Sequence, residues 1–378
     1  MNRILIDPEA IRQNLRRIGA WMQAHGAHWT VVTKVLCGHR GTLEALQAMG
    51  VRSMGDSRLE NLECIRRMDP GCECWYLRVP DITSVPDVVR LADVSLNSEV
   101  GVIEALNEEA RRQGRVHGVV VMIELGDLRE GILPGSLIQF YDHVFRLPNI
   151  EVKGVGANLG CLAGAVPTVD QFMQLVLYRE LLELKFEHPL RLISAGSTAV
   201  LPLVLDRQLP RAINHFRIGE AVFLGTDLLA GGTLPGLRGD AIILEAEIAE
   251  IKEKGLVSLA ETASLAPFAS EADGDTAPGQ RGYRALVSIG NLDTEISGLE
   301  PLNPNYSIAG ASSDITVVNV GDDADGLEVG DTIRFRPNYA AFVRLMSGRY
   351  VEKVLQPPAA RQAEDREPGS FGVGPVLE

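Results

Sequence analysis

The chain has 378 residues, more than one small core can organise, so a large domain plus a second is the natural expectation. Its composition is that of a globular protein, 46% hydrophobic and 23% charged, and no apolar run is long enough for a membrane-spanning helix. A net charge of −14 without a basic cluster argues against nucleic acid and anionic membranes, leaving a small molecule as the default partner.

The opening MNRILIDPEA has no apolar core of a secretory signal, so a cytoplasmic location is expected. Next comes a helix pattern, DPEAIRQNLRRIGAWM. Asp7 suits the N-cap and Pro8 the first helical position, while Ile11, Leu15, Ile18 and Met22 share a face. Short β-rich runs then alternate with helical patterns: TVVTKV (30–35), VRSMGDS (51–57), CWYLRV (74–79), VSLN (94–97), GVVVMIEL (118–125), VKGVGANL (152–159), RLISAG (191–196) and HFRIGEAVFLG (215–225). Between them lie helices such as GTLEALQAMG, EVGVIEALNEEARR and DQFMQLVLYRELLELK, the last with Met173, Val176, Leu177, Leu181 and Leu184 on one face. Eight βα units with continuous apolar strands predict a parallel (β/α)8 barrel over 1–228, with a doubly wound open sheet as the alternative because periodicity cannot show closure. The five cysteines (37, 64, 72, 74, 161) are odd in number and fit reduced thiols. Cys72-x-Cys74 has neither a second pair nor a nearby histidine, so no metal site is expected.

After the Gly-rich AGGTLPGLRGD the pattern changes to alternating β runs, which predicts a β-domain over 229–356. The segment 357–378 is Pro-, Gly- and charge-rich and is expected to be disordered.

Chemistry in a parallel barrel sits at the C-terminal ends of its strands. The first strand ends at Lys34, which is either a solvated strand end or a reactive amine. The fifth runs into Glu124, Asp127, Arg129 and Glu130. The seventh ends in Gly196-Ser197-Thr198, which reads equally as an ordinary helix cap or as a phosphate loop. The eighth carries Arg217 and Gly219. A phosphate loop facing a strand-end lysine suggests pyridoxal phosphate, with Arg217 toward the pyridine nitrogen. A guanidinium keeps its proton at neutral pH, so that nitrogen would stay unprotonated and simple proton exchange at Cα would be favoured.

These landmarks together resemble the alanine-racemase-type (fold type III) pyridoxal-phosphate enzymes, and most of all their ornithine racemase branch. The similarity runs from LIDPEAIRQNL through TKVLCGH, MGDSRLENL, IELGDLREG, GANLGC, SAGSTAVLP, NHFRIGEAVFLG and ASSDITVV to NYAAFVRLMS. The resemblance implies Lys34 as Schiff-base lysine and one catalytic base, with Arg217 as partner of the pyridine nitrogen. Ser197, Gly219 and Tyr339 correspond to phosphate ligands; the loop itself adds Gly196, which lets the backbone approach an anion, and the Thr198 hydroxyl. Arg129 corresponds to the arginine that contacts the substrate carboxylate. Asp314 falls in the segment that reaches a partner subunit's site, so a homodimer with shared active sites is implied.

The departures bear on mechanism. Cys37 stands before Gly38-His39 where the family has a tyrosine, Met122 replaces a lysine, and Asn158 replaces a histidine. Asn291 follows Gly290 where the family's second base, a tyrosine, is expected, and an amide cannot act as a base. Asp293 is the first substitute, with Cys161, Asp314 and Tyr283 as alternatives. The β-domain has no histidine or cysteine, which disfavours the metal-dependent aldolase and dehydratase types and the basic-amino-acid decarboxylases. A pyridoxal-phosphate-dependent amino-acid racemase is expected, acting on ornithine or another larger amino acid. Alanine or serine racemisation, another fold type III chemistry and a non-catalytic cofactor carrier are the alternatives.

Overall fold

The computed structural model describes residues 2–160, 164–256 and 280–357. Cys161, most of the predicted disordered tail, and the segment 257–279 lie outside them. Contacts divide the chain into two compact units.

The first unit is built on the eight parallel strands. Strand β1 (Arg3–Ile6) belongs elsewhere, as described below. Helix α1 (Pro8–His25) starts where the sequence predicts, with Asp7 Oδ1 accepting the amides of Glu9 and Ala10 at 2.8 and 3.1 Å. Ile11, Leu15, Ile18 and Met22 are all buried. The strands follow as β2 (His28–Val32), β3 (Ser53–Asp56), β4 (Glu73–Tyr76), β5 (Val94–Asn97), β6 (His117–Met122), β7 (Ile150–Gly156), β8 (Leu192–Gly196) and β9 (His215–Ile218). They pair in sequence order, and β9 returns to β2 with Thr30 opposite Arg217, so the sheet is a closed barrel and the open-sheet alternative is excluded. Helices α2 (Arg40–Ala48), α3 (Leu59–Met68), α4 (Val85–Leu91), α5 (Val100–Arg112), α6 (Leu137–Val144), α7 (Val169–Phe186), α8 (Leu201–Leu205) and α9 (Glu220–Leu224) connect them.

The interior is layered. Trp75, Val94, Leu96, Val120 and Met122 form an apolar cluster, while Thr30, Ser53, Ser95, His117, Ser194 and His215 form a buried polar set. Two readings of the strands and helices change. The run HFRIGEAVFLG is not one strand, because β9 stops at Ile218 and the apolar residues after Gly219 continue as α9. On α7 only Val176 of the predicted face is buried. Phe172, Leu175 and Leu182 face inward with it, and Met173, Leu177, Leu181 and Leu184 are exposed. The helix carries two apolar stripes, so periodicity alone picks neither.

The second unit takes the chain from Gly239 together with residues through Ala10 and Val35–Cys37. Its strands are β10 (Ile242–Gly255), β11 (Arg281–Val287), β12 (Leu299–Pro301), β13 (Ser307–Ala311), β14 (Thr316–Gly321) and β15 (Thr332–Pro337). Helix α10 (Tyr339–Ser347) and β16 (Glu352–Leu355) complete it. The sheet order is β12-β15-β10-β11-β14-β13, and β1 lies between β10, antiparallel to it, and β16, parallel to it. The buried Glu245 carboxylate of β10 receives Arg3 Nε at 2.6 Å and Arg334 Nη2 at 2.7 Å, pinning β1 and β15 to the central strand. The expected boundary at 228/229 does not foresee this exchange of the N-terminal strand, nor does the expected all-β character foresee α10.

Candidate active site

Lys34 stands just past β2, with its side chain exposed at the C-terminal end of the barrel. Its backbone is held by the neighbouring strand. Thr33 N donates to Gly55 O at 2.8 Å, and Thr33 Oγ1 donates to Asp56 Oδ2 at 2.8 Å. The Asp56 carboxylate is buried and also accepts Arg58 N and Asn61 Nδ2, both at 3.0 Å. Burial raises its pKa, and these donors oppose the rise only in part. Glu220, at the start of α9, is likewise pushed up by burial, against a hydrogen bond from Thr226 and the positive charge of Lys34. Neither carboxylate is among the sequence-predicted site residues.

On the other side of β9 is the Gly196-Ser197-Thr198 turn. A Cβ at Gly196 would lie 1.9 Å from the Phe216 ring, and one at Gly219 would lie 2.9 Å from Val32 O, so wall packing alone accounts for both glycines. Thr198 is buried, and its hydroxyl accepts Ala221 N at 3.2 Å, tying this turn to the start of α9. Ser197 is half-buried at the head of the turn. Hydroxyls and first-turn N–H groups after β8 and β9, next in strand order to the strand that leads to Lys34, are a donor set that fits a phosphate-bearing aldehyde.

Arg217 is buried between these two groups on β9. Its Nη1 donates to Ser194 O at 2.6 Å and Ser194 Oγ at 2.5 Å, and its Nη2 to Ala157 O at 3.0 Å and Asn158 Oδ1 at 2.5 Å. Asn158 Nδ2 in turn donates to the Glu130 carboxylate, which is paired with the Arg129 guanidinium, Nη2 lying 2.6 Å from Oε1. Burial alone would raise the Glu130 pKa, but Arg129 and Asn158 outweigh it and bring it below the usual carboxylate range. Glu124 accepts the amides of Leu128 and Arg129 at 3.1 and 3.3 Å, so it shapes the loop that carries Arg129. Asp127 is buried in that loop, and Met122 is fully buried in the barrel.

The second unit gathers the remaining predicted residues. Asn291 N donates to Ser312 O at 3.1 Å and Leu292 N to Ser313 O at 2.9 Å, which sets the 290–294 turn beside the turn that bears Asp314. The side chain of Asn291 donates to Ser312 O at 3.0 Å. Asp293 Oδ2 accepts Gly290 N at 3.1 Å, closing its turn. Asp314 is exposed and accepts the hydroxyls of Ser312 and Ser313, each at 3.2 Å. Thr294 Oγ1 donates to Ala341 O at 3.1 Å, joining the same turn to α10, whose first residue is Tyr339 and whose cap, Asn338, accepts Ala341 N at 3.0 Å. Tyr283 lies near the start of β11, toward the end of that strand away from Gly290.

The model of the alanine racemase N-terminal domain matches residues 6–227. An ornithine racemase of Acetoanaerobium sticklandii is 33% identical over 93% of this chain and 99% of its own length. A lysine racemase of Thermotoga maritima is 30% identical over 94% of this chain and 98% of its own. Among solved structures, an alanine racemase from Bartonella henselae with covalently bound pyridoxal phosphate has a TM-score of 0.69 at 14% identity, covering 94% of this chain and 99% of that one. With the strand-end amine of Lys34 and the buried Arg217 on neighbouring strands of a closed barrel, these matches show that the chain belongs to the alanine racemase N-terminal domain family.

Proposed function

We propose that the chain is a pyridoxal-phosphate-dependent racemase of a diamino acid, ornithine or a similar larger amino acid, working as a homodimer. The observation that carries the reading is the succession at one end of a closed barrel of Ser197 after β8, Arg217 on β9 and Lys34 after β2, three neighbouring strands. The names of two relatives, an ornithine and a lysine racemase, support the substrate class. The cofactor named with the Bartonella structure suits the donor set described above.

Bound pyridoxal phosphate would supply an electron sink that acidifies the Cα–H of an amino acid. The Lys34 amine is the anchoring group and moves a proton at one face of Cα. Ser197 and the amides around it would hold the phosphate, with Gly219 and Tyr339 as the further proposed ligands. Arg217, which only donates, would partner the ring nitrogen and favour its unprotonated form. Arg129 binds the substrate carboxylate, held in orientation by Glu130. Inversion needs a second proton carrier on the opposite face, and Asp293 is the proposed one, with Asp314 beside its turn.

The test is a panel of L- and D-amino acids incubated with protein and pyridoxal phosphate in D2O, following configuration and deuterium at Cα. Inversion with deuterium uptake, strongest for ornithine or lysine and abolished in Lys34→Ala, is the expected result. Exchange without inversion would remove the second base from the reading. No exchange with any amino acid would overturn the racemase assignment.

A further inference from the structure

Two residues before Arg217 on β9, His215 projects from the same face of the strand into the barrel, its ring stacked on Trp75 with centroids 4.3 Å apart. Both ring nitrogens are engaged. Nδ1 lies 2.7 Å from Ser194 Oγ, the oxygen that accepts Arg217 Nη1, and Nε2 lies 3.1 Å from Thr30 Oγ1. Thr30 Oγ1 is 2.8 Å from Ser53 Oγ, and Ser53 donates to Glu73 Oε2 at 2.8 Å. Arg217, Ser194, His215, Thr30, Ser53 and Glu73 thus form an unbroken line across β9, β8, β2, β3 and β4. It ends on a carboxylate at the first residue of β4, the opposite end of the barrel from Lys34.

The direction of this line follows from its two ends. A guanidinium only donates, a carboxylate only accepts, and each hydroxyl has one proton to give. With Arg217 donating at one end and Glu73 accepting at the other, every proton points toward Glu73. Ser53 gives its one proton to Glu73 and Thr30 gives its own to Ser53, so Nε2 carries a ring proton. In a neutral ring Nδ1 is then bare and accepts from Ser194. Burial, helped by the charges of Arg217 and His28, pushes the His215 pKa well down and keeps the ring neutral.

We infer that Ser194 and His215 are positioning residues for Arg217: a neutral imidazole in a single tautomer, linked through hydroxyls to Glu73, holds the guanidinium in one orientation and brings a distant negative charge to bear on it. The inference rests on the proposed function only for what Arg217 faces. The line itself stands without it.

Two measurements on the pyridoxal-phosphate-loaded protein test it. In 15N-histidine spectra, with His215 assigned by its loss in His215→Gln, an unprotonated Nδ1 and a protonated Nε2 are expected. The reverse tautomer, or a ring protonated at both nitrogens at pH 7.5, would overturn the direction of the line. Ser194→Ala is then compared with Ser95→Ala, which cuts the equally buried Ser95–His117 bond of 2.8 Å in the same interior. Both variants should lose thermal stability. Only Ser194→Ala should shift the visible absorption of the bound cofactor and lower kcat about tenfold with KM unchanged. Identical spectra and kcat in the two variants would reduce the line to ordinary core hydrogen bonding. If the parent protein binds no pyridoxal phosphate, it is the racemase reading that fails, and the tautomer of His215 decides the line by itself.

Discussion

Arg217 donates to Asn158 Oδ1 across 2.5 Å, and through that one amide the buried arginine is joined to the loop that carries Arg129. The amide oxygen takes the guanidinium, and the amide nitrogen takes the Glu130 carboxylate. Removing the negative charge at 130 should therefore loosen Arg129 without unfolding the barrel. Glu130→Gln is expected to raise KM about tenfold while leaving the melting temperature within a few degrees of the parent. Steady-state kinetics with ornithine and lysine would measure it, and an unchanged KM would show that Arg129 is held by other means.

Asp293 offers a second and more exacting test. If its carboxylate carries the proton on the face opposite Lys34, Asp293→Asn should slow inversion by about a hundredfold or more, while exchange at Cα through Lys34 persists. The exchange-to-inversion ratio in D2O separates this from a general loss of folding. Full inversion in Asp293→Asn would transfer the role elsewhere, with Asp314 the next residue to change.

Glu245 governs stability instead. Its side chain is only 2% exposed and takes two arginines from two other strands. Burial tends to raise its pKa, but the Arg3 and Arg334 hydrogen bonds prevail and lower it. Neutralising it in Glu245→Gln should cost about 2 kcal/mol in urea unfolding. A loss under 0.5 kcal/mol, on the order of an ordinary surface change, would mean that the β1 pairing is maintained by its apolar contacts.

Acid should destabilise the barrel through its histidines. Burial, with a smaller push from Arg115, lowers the His117 pKa from 6.5 to about 4, so the folded state favours the neutral ring. The unfolded chain then binds more protons between those values. The stabilisation is present above pH 6.5, is lost as pH falls toward 4, and is on the order of 3 kcal/mol. Asp56 and Glu220, raised by burial, act in the opposite sense, so the comparison must be a difference. Melts of the parent and His117→Gln from pH 7.5 to 4.5 should show a shallower slope in the variant. Parallel slopes would place the acid sensitivity on other groups.

The barrel was legible because eight short β-rich runs, buried on both sides of the sheet, alternate with helical patterns. The same property hid where strands stop, since only Gly219 and Glu220 separate the apolar residues of β9 from those of α9. β1 is four residues long, and α10 lies within a segment recognisable as a family motif before it is recognisable as a helix. In the site, Lys34 and Arg217 were readable from their places at strand ends. The bridge from Arg217 to Arg129 was not, because Asn158 is 59 residues from one partner and 28 from the other. Hydrogen bonds between neighbouring strands of a barrel leave no periodicity in the chain.

The place of β1 sets the timetable of biosynthesis. Residues Arg3–Ile6 are made well before one of their two partner strands, Glu352–Leu355, which lies more than 300 residues later in the chain. At ordinary translation speeds the interval is roughly 20 to 70 s. For that time RILI has at least one open edge and is tethered by α1 to a barrel that can already close. A nascent chain of this design needs β1 shielded until β16 emerges, so slowed elongation should aggregate this protein before it stalls its barrel.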